Sequence, residues 1–318
     1  MKTLIAPSLI STIVLTQSFA GEPVTPLPAT EADALTGSAA IGTSPLRFGR
    51  RNSDSELPGY SFAGIKYNHT FAADFDSLPG DVSSDEFSAT FPILPLDFDQ
   101  FRLFALGRYS ATRYNTSDSN LLTLDTLHRF RLPVIFLHDI SDKWIWGAML
   151  MPGFSGNQSS SDDLTIAAAL GFGYAFSDEF LLFAGGYYSY GFHDHFAVPG
   201  IGFIWRPDPL WEVSVLGPMG AVNYRIHENW TLSLFGEYKS PTWHVGADSL
   251  GPDRDIEMSA LQLGLKAEYH LGGIFWASLA GGYSVFRNME IEDNDNHTLL
   301  DEDLDPAPFV EAGLKLRF

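Results

Sequence analysis

Three short groups of residues contain carboxylates, and two of them also contain imidazoles, the side chains that activate water or ligate a metal ion. His193-Asp194-His195 places two imidazoles beside one carboxylate, which is part of a zinc ligand set. Asp74-x-Asp76 and Asp295-x-His297 can remove a proton from water if they lie within hydrogen-bond reach of it. Zinc requires a further ligand and a buried outer layer of contacts. We therefore expect an exposed polar loop, and no metal site, at His193, Asp194 and His195.

The Asp-x-Asp and Asp-x-His pairs resemble, loosely, the Asp pair and the Asp-His pair of the omptin-type outer-membrane proteases. The resemblance implies a hydrolase that activates water at the outer rim of a barrel. The sequence contains no Gly-x-Ser-x-Gly, His-Glu-x-x-His or phosphate-loop motif, and it has no cysteine to act as a nucleophile. Hydrolysis is therefore kept as an alternative function, and no cofactor is expected.

The stretch 293–297, with the sequence Asp-Asn-Asp-Asn-His, begins like an oxygen-rich calcium loop. An EF-hand loop requires Gly at its sixth position and Glu at its twelfth, where this sequence has Thr298 and Leu304. We therefore predict that this stretch is not an EF-hand site.

The last residues of the sequence indicate the elements that position these side chains. Apolar residues recur at every second position and form one face of a strand: Val310, Ala312, Leu314, Leu316 and Phe318. The ending resembles the terminal strand of bacterial outer-membrane β-barrels, in which a final Phe closes a segment that the assembly machinery reads. The resemblance implies an assembly signal at Leu314, Leu316 and Phe318, with that machinery as a partner. In such a barrel the apolar face meets lipid and the charged face lines the lumen.

The beginning of the sequence is typical of a secretory signal peptide. Met1-Lys2 is a short positive start, residues 4–16 are mostly apolar, and Ser18-Phe19-Ala20 is a small-x-small cleavage site. The apolar run is too short to span a bilayer. We predict a cleaved signal peptide at 1–20, an irregular periplasmic segment at 21–58, and a barrel at 59–318 in the outer membrane of a Gram-negative bacterium.

The composition favours the same class of protein. Aromatic residues make up 14% of the chain, and it contains 29 glycines. No run of about 18 apolar residues occurs that could form a transmembrane helix. An aromatic-rich, cysteine-free exported chain is typical of a transmembrane barrel surrounded by outer-membrane lipid and lipopolysaccharide. The formal net charge of −20 argues against nucleic acid as a partner.

Alternation and turn residues predict an all-β, antiparallel, up-and-down barrel of 14 strands, with both ends of the chain in the periplasm. Twelve strands are the alternative, because 210–226 is the weakest part of the pattern. The predicted strands are 59–72, 84–92, 99–113, 120–138, 143–154, 164–176, 180–191, 197–205, 210–217, 219–226, 230–241, 256–270, 274–286 and 307–318.

Two sets of polar residues follow from this arrangement. The expected lumen-lining residues are Asn223, Arg225, Glu237, Lys239, Lys266, Glu268, Glu311, Lys315 and Arg317. The expected acidic outer rim consists of Asp74, Asp76, Asp162, Asp163, Asp253, Asp255, Glu292, Asp293, Asp295, Asp301 and Asp303. An acidic rim attracts cations or carries divalent bridges to lipopolysaccharide phosphates. The mixed charges of the lumen either line a pore or brace the wall, and both interpretations stay open.

A series of Pro and Gly motifs in the second half of the chain carries a further resemblance. The motifs are Leu132-Pro133, Met151-Pro152-Gly153, the stretch 199–207, Gly217-Pro218 and the stretch 223–226. Their order is similar to that in a family of uncharacterised outer-membrane barrels, described as a domain of unknown function, over about 120–318. The predicted function is a channel or facilitator for a small solute, and the acidic rim suggests a cationic one. The alternatives are a non-conducting structural or surface-interaction barrel and the outer-membrane hydrolase.

Overall fold

The computed structural model describes residue 57 and residues 61–97, 101–117, 126–157, 163–191, 194–246, 253–293, 295 and 297–317. The predicted signal peptide, almost all of the segment 21–58, and Asp162, His193 and Phe318 lie outside the described residues. No helix in the described part of the chain is long and apolar enough to cross a membrane.

Seventeen β-strands follow one another along the described residues. Their bounds are β1 Ser61–Asp74, β2 Asp81–Asp97, β3 Phe101–Thr116, β4 Leu127–Arg131, β5 Val134–Asp139, β6 Trp144–Gly156, β7 Leu164–Ala175, β8 Phe180–Gly191, β9 Asp194–Trp205, β10 Trp211–Leu216, β11 Met219–His227, β12 Trp230–Lys239, β13 Thr242–Val245, β14 Arg254–Gly272, β15 Phe275–Asp293, β16 Thr298–Leu304 and β17 Ala307–Arg317.

Three pairs of consecutive strands are single crossings, each interrupted at a proline. β4 and β5 are separated at Pro133, β12 and β13 at Pro241, and β16 and β17 at Pro306. Proline has no N–H to donate to the neighbouring strand, so the pairing is interrupted there. Both members of a pair nevertheless run along one neighbour: β4 and β5 along β3, and β16 and β17 along β15. Seventeen strands with three such pairs make 14 crossings, which confirms the predicted count over the alternative of 12.

The crossings form a closed ring of antiparallel neighbours. β1 pairs with β2 on one side and with β17 on the other, so that Tyr67 lies opposite both Phe87 and Ala312. The weakly patterned region 210–226 is the hairpin of β10 and β11, from Trp211 opposite Tyr224 to Leu216 opposite Met219. The ring confirms the predicted all-β barrel and leaves no sheet edge at its seam.

An apolar belt covers the outside of the barrel. Leu234, Leu265 and Leu279 lie on three successive strands of the ring and are 56%, 67% and 64% exposed. Their sequence neighbours Ser233 and Ser278 point the other way and are buried. Such an apolar outer face with a polar inner face is the arrangement of a barrel surrounded by lipid.

Aromatic side chains cluster at the end of the barrel that carries the short turns. The ring centroids of neighbouring pairs lie close together: Trp144 and Tyr174 (4.7 Å), Trp211 and Tyr224 (4.3 Å), and Trp230 and Tyr269 (4.7 Å). Amphipathic rings favour the boundary between hydrocarbon and water, so these pairs mark one membrane interface. The opposite end, with the longer connections, is called the outer end below.

The outer end differs from the sequence prediction. The sequence leaves 242–255 and 287–306 as loops between predicted strands. β13 and β14 occupy 242–245 and 254–255 of the first range, β15 and β16 occupy most of the second, and β2 continues to Asp97, beyond the predicted strand 84–92. β13 turns across the mouth and meets β6 at a parallel bridge between His244 and Gly156. Acidic residues occupy the solvent face of these extensions, and that acidic composition is why the sequence suggested loops.

The inward side chains of the extensions form an apolar core, called here the outer apolar cluster. Its members are Phe75, Val82, Tyr114, Leu127, Trp243, Val245, Ile256, Met258, Met289, Ile291 and Leu304. All of them are buried. The cluster therefore fills the narrowed outer end of the barrel above the polar part of the lumen.

Candidate functional site

A cavity of about 460 Å³ lies inside the barrel and is called here the basic chamber. Alternation along the strands turns its polar lining residues inward. Its charged lining residues are Lys66, Glu86, Arg108, Arg129, Arg131, Glu237, Lys239, Lys266, Glu268, Arg287, Glu311, Lys315 and Arg317. Nine of these are basic and four are acidic, an excess of five positive charges. The whole chain has a formal net charge of −20, so the chamber has the opposite sign to the protein around it.

Eight of the nine predicted lumen residues line this chamber: Asn223, Glu237, Lys239, Lys266, Glu268, Glu311, Lys315 and Arg317. The ninth, Arg225, lies at the short-turn end, where it donates to the carbonyl oxygens of His227 at 3.4 Å and Glu228 at 2.7 Å. The sequence left the facing of Arg108 and Arg129 open, because aromatic residues occur on both faces of β3 and β4. Their inward position is visible only once the register is known.

Ion pairs hold part of the lining in place. Glu268 of β14 binds both Lys315 and Arg317 of β17, across the intervening strand β15. Lys66 of β1 places its Nζ 3.0 Å from Glu311 Oε2 of the neighbouring β17. Charged pairs between strands brace a wall as well as line it, and these carboxylates are already neutralised by their partners.

Arginines on β3 and β4 make the part of the lining around Arg108, Arg129 and Arg131 rich in positive charge. Arg108 lies directly opposite Arg131 in the ladder, and like charges in that position destabilise a sheet. Arg129 donates to Ser155 Oγ at 3.3 Å and packs over the Trp243 ring at 4.6 Å. Its Nη2 atom is buried without a hydrogen-bond partner within the described residues. Guanidinium groups held this way are suited to bind a carboxylate or phosphate group.

The predicted acidic rim divides into exposed and buried members. Those that are exposed are Asp74, Asp76, Asp295, Asp301 and Asp303, and those that are half-buried are Asp253, Glu292 and Asp293. Asp163 and Asp255 are 0% and 7% exposed, so their assignment to an exposed rim is wrong. Asp255 pairs with His244 Nδ1 at 2.8 Å, because β13 folds across the mouth and covers both side chains.

The candidate catalytic and metal residues do not come together as one site. Asp293, Asp295 and His297 place their ligand atoms within 4.8 Å of one another. The backbone N–H groups of Asp295 and His297 donate to Asp293 Oδ1 at 3.0 and 2.9 Å, so a turn closed by this aspartate explains the cluster. Among the described side chains, no hydrogen bond or ion pair joins Asp74 or Asp76 to His297. His195 is exposed at the outer end of β9, and nothing is described of the Asp194 side chain.

Comparison with known proteins places this barrel among distant relatives. The family described as "Domain of unknown function (DUF6268)" matches residues 105–317. No curated protein matches the chain.

Several solved structures resemble it at low identity. The COG4313 outer membrane channel from Pseudomonas putida F1 has 7% identity and a TM-score of 0.47 over 83% of this chain and 98% of that one. A Pseudomonas aeruginosa FadL homologue has 9% identity and a TM-score of 0.43, covering 80% and 90%. The KdgM porin in complex with disordered oligogalacturonate has 9% identity and a TM-score of 0.34, covering 80% and 99%. These likenesses are too distant to assign a solute.

Proposed function

The chain belongs to the family described as "Domain of unknown function (DUF6268)", and we propose that it is an outer-membrane channel or facilitator for small anionic solutes. The observation that carries the proposal is the excess of five positive charges in the basic chamber. In this proposal the apolar belt lies in outer-membrane lipid, the acidic outer surface faces lipopolysaccharide, and the assembly machinery reads Leu314, Leu316 and Phe318.

The charge of the chamber argues against the cation preference that the acidic rim suggests. Rim carboxylates stand in water and are screened beyond about 10 Å at 0.1 M salt. A solute inside the chamber is much closer to its charges. At about 8 Å, with the dielectric constant of water and the same screening, each excess charge contributes about 0.2 kcal/mol. Five charges then contribute about 1 kcal/mol, or about a fivefold enrichment of a monovalent anion, and a lower local dielectric constant increases this value.

The second candidate is a barrel that conducts nothing and serves as a structural or surface-interaction protein. The outer apolar cluster favours it, because buried side chains such as Trp243 and Met289 narrow the axial path toward the outer end. Hydrolysis is not part of either candidate. The residues that suggested it do not form one site, since no hydrogen bond or ion pair joins Asp74 or Asp76 to His297 among the described side chains.

Ion entry into proteoliposomes tests the proposal. Chloride and potassium uptake would be followed with ion-sensitive dyes, using protein whose folding is established by its heat-modifiable gel mobility. We expect chloride to enter faster than potassium. The Arg108→Gln/Arg131→Gln variant removes two charges, about 0.4 kcal/mol, and should reduce chloride entry about twofold. Arg225→Gln is the control for removing a positive charge outside the chamber, and it should leave chloride entry unchanged. Faster potassium entry would refute anion preference, and no entry of either ion would favour the non-conducting barrel.

A further inference from the structure

A second internal cavity, of about 160 Å³, lies on the opposite side of the lumen and is called here the apolar chamber. No charged residue is among the described residues that line it. Its inward-facing lining side chains include Ile135, Leu137, Met149, Phe183, Tyr187 and Leu216, and its lining also includes Ile201, which is exposed on the outer face. Five of the six inward-facing side chains are less than 9% exposed, so most of the space lies on the lumen side of the wall. A dry apolar cavity of about 150 Å³ is large enough for a molecule the size of benzene.

A row of glycines creates this space. Gly147, Gly171, Gly185 and Gly200 lie directly opposite one another on the four neighbouring strands β6–β9. A Cβ atom at Gly185 would overlap the carbonyl oxygen of Leu170, so that position requires glycine for close strand approach. A Cβ atom at Gly200 would meet nothing within 4 Å. Close packing of the backbone therefore requires glycine at position 185. At position 200 the packing does not require glycine, and the space beside it is open.

The hairpin of β10 and β11 is too short to cross the hydrocarbon layer beside this chamber. β10 has 6 residues and starts at Trp211, in the aromatic cluster at the short-turn end. Six residues extend about 20 Å, and a strand tilt of about 40° leaves about 15 Å along the membrane normal. The apolar band of such barrels is about 25 Å tall. The tip at Gly217, which itself lines the apolar chamber, therefore ends within the hydrocarbon layer.

Above this tip, the described residues leave a gap in the wall of the barrel. β9 pairs with β10 only from Gly202 to Trp205. Within the described part of the chain, residues 196–201 of β9 have a strand partner on the β8 side alone. Unpaired strand edges are tolerated at membrane depth only where protein covers them or where they line a cavity. Gly200 and Ile201, at the start of this edge, line the apolar chamber, and Ile201 is 69% exposed on the outside.

We propose that the apolar chamber is a binding site for a small apolar molecule of about benzene size, which enters sideways from the lipid through the notch above Gly217. The size of the chamber, its uncharged lining and the open volume at Gly200 define the ligand class. The notch supplies the route, because the outer apolar cluster narrows the axial one. This site is separate from the basic chamber and does not depend on the transport of anions.

Binding is tested with hexafluorobenzene as the probe, followed by fluorine NMR of the full-length barrel in lipid nanodiscs. A resonance distinct from that of probe in protein-free nanodiscs reports the bound state. We expect the native protein to show it and Gly200→Leu, whose side chain fills the chamber, to lose it. Gly220→Leu is the matched control, because its Cβ has only ordinary contacts at 3.8 Å and lies outside the lining. A missing bound resonance in the native protein, or the same resonance in folded Gly200→Leu, would overturn the proposal.

The route is tested by lengthening the hairpin. Inserting three strand-forming residues on each side of Gly217-Pro218 extends β10 along the free edge of β9 and closes the notch. Of the residues that line the chamber, only Gly217 moves with the tip. We expect exchange of hexafluorobenzene between lipid and the bound site to slow by tenfold or more, with the bound resonance retained. An unchanged exchange rate would show that the ligand does not enter through the notch.

Discussion

Replacing Trp243 by alanine should open the outer end of the barrel. Trp243 is 1% exposed, its ring lies 5.8 Å from that of Tyr114 in an edge-on arrangement, and Arg129 packs over it at 4.6 Å. Deleting a buried Trp costs about 3–5 kcal/mol of unfolding free energy, of which about 1–3 kcal/mol are the aromatic and cation–π contacts. The same deletion removes the largest side chain from the cluster that narrows the axial path. We therefore expect about 4 kcal/mol lower stability together with a higher single-channel conductance.

Trp243→Phe is the matched control for this change. The indole N–H of Trp243 is buried without a hydrogen-bond partner within the described residues, so phenylalanine removes an unsatisfied donor and keeps a ring beside Tyr114. We expect it to cost at most about 1.5 kcal/mol and to leave conductance unchanged. Urea unfolding in lipid vesicles measures the stability, and planar-bilayer recordings measure the conductance. A destabilised alanine variant with native conductance would refute the interpretation of the outer apolar cluster as the constriction.

Three further changes follow from the structure. Glu268→Gln leaves Lys315 and Arg317 without their carboxylate and should lower the unfolding free energy by about 3–5 kcal/mol. Glu237→Gln should lower it by less than about 1 kcal/mol, and equal losses would contradict the bracing role of Glu268. Gly185→Ala should reduce the yield of heat-modifiable barrel because its Cβ would overlap backbone, while Gly200→Ala should assemble normally; gel mobility distinguishes the two. Burial raises the pKa of Glu257, on the outer extension of β14, from 4.5 to about 7. The stability that this group contributes is therefore present below pH 4.5 and is lost as the pH rises through 7. Urea unfolding midpoints between about pH 4 and 8 should show this loss in the native protein and not in Glu257→Gln.

The ring of crossings was predictable because period-two alternation is a local property of the sequence. Leu263 and Leu265 face outward and Gln262 inward as the alternation predicts, and the tight turn at Gly217-Pro218 joins two strands as proposed. Local patterns state which face a residue takes and where a strand ends against a proline or glycine. They were therefore sufficient for the fold class and the strand count.

The sign of the net charge in the lumen and the narrowing of its outer end depend on the register between distant strands. They were therefore not predictable from local patterns. Arg108 and Arg131 are separated along the chain, and only the ladder places them opposite each other. The core residues Met289 and Ile291 alternate with acidic neighbours, and the negative charge of that stretch concealed a strand. Asp255 was assigned to the rim for the same reason, although β13 buries it.

The reversal potential of the native protein in a planar bilayer tests the account most directly. With a tenfold gradient of KCl, a pore that passes only one ion approaches about 59 mV, the voltage equivalent of about 1.4 kcal/mol per charge. An excess of five positive charges in the lumen predicts a potential of tens of millivolts with the sign of anion selectivity. A cation-selective potential, or no current from folded protein, would contradict the claim that this barrel conducts small anions.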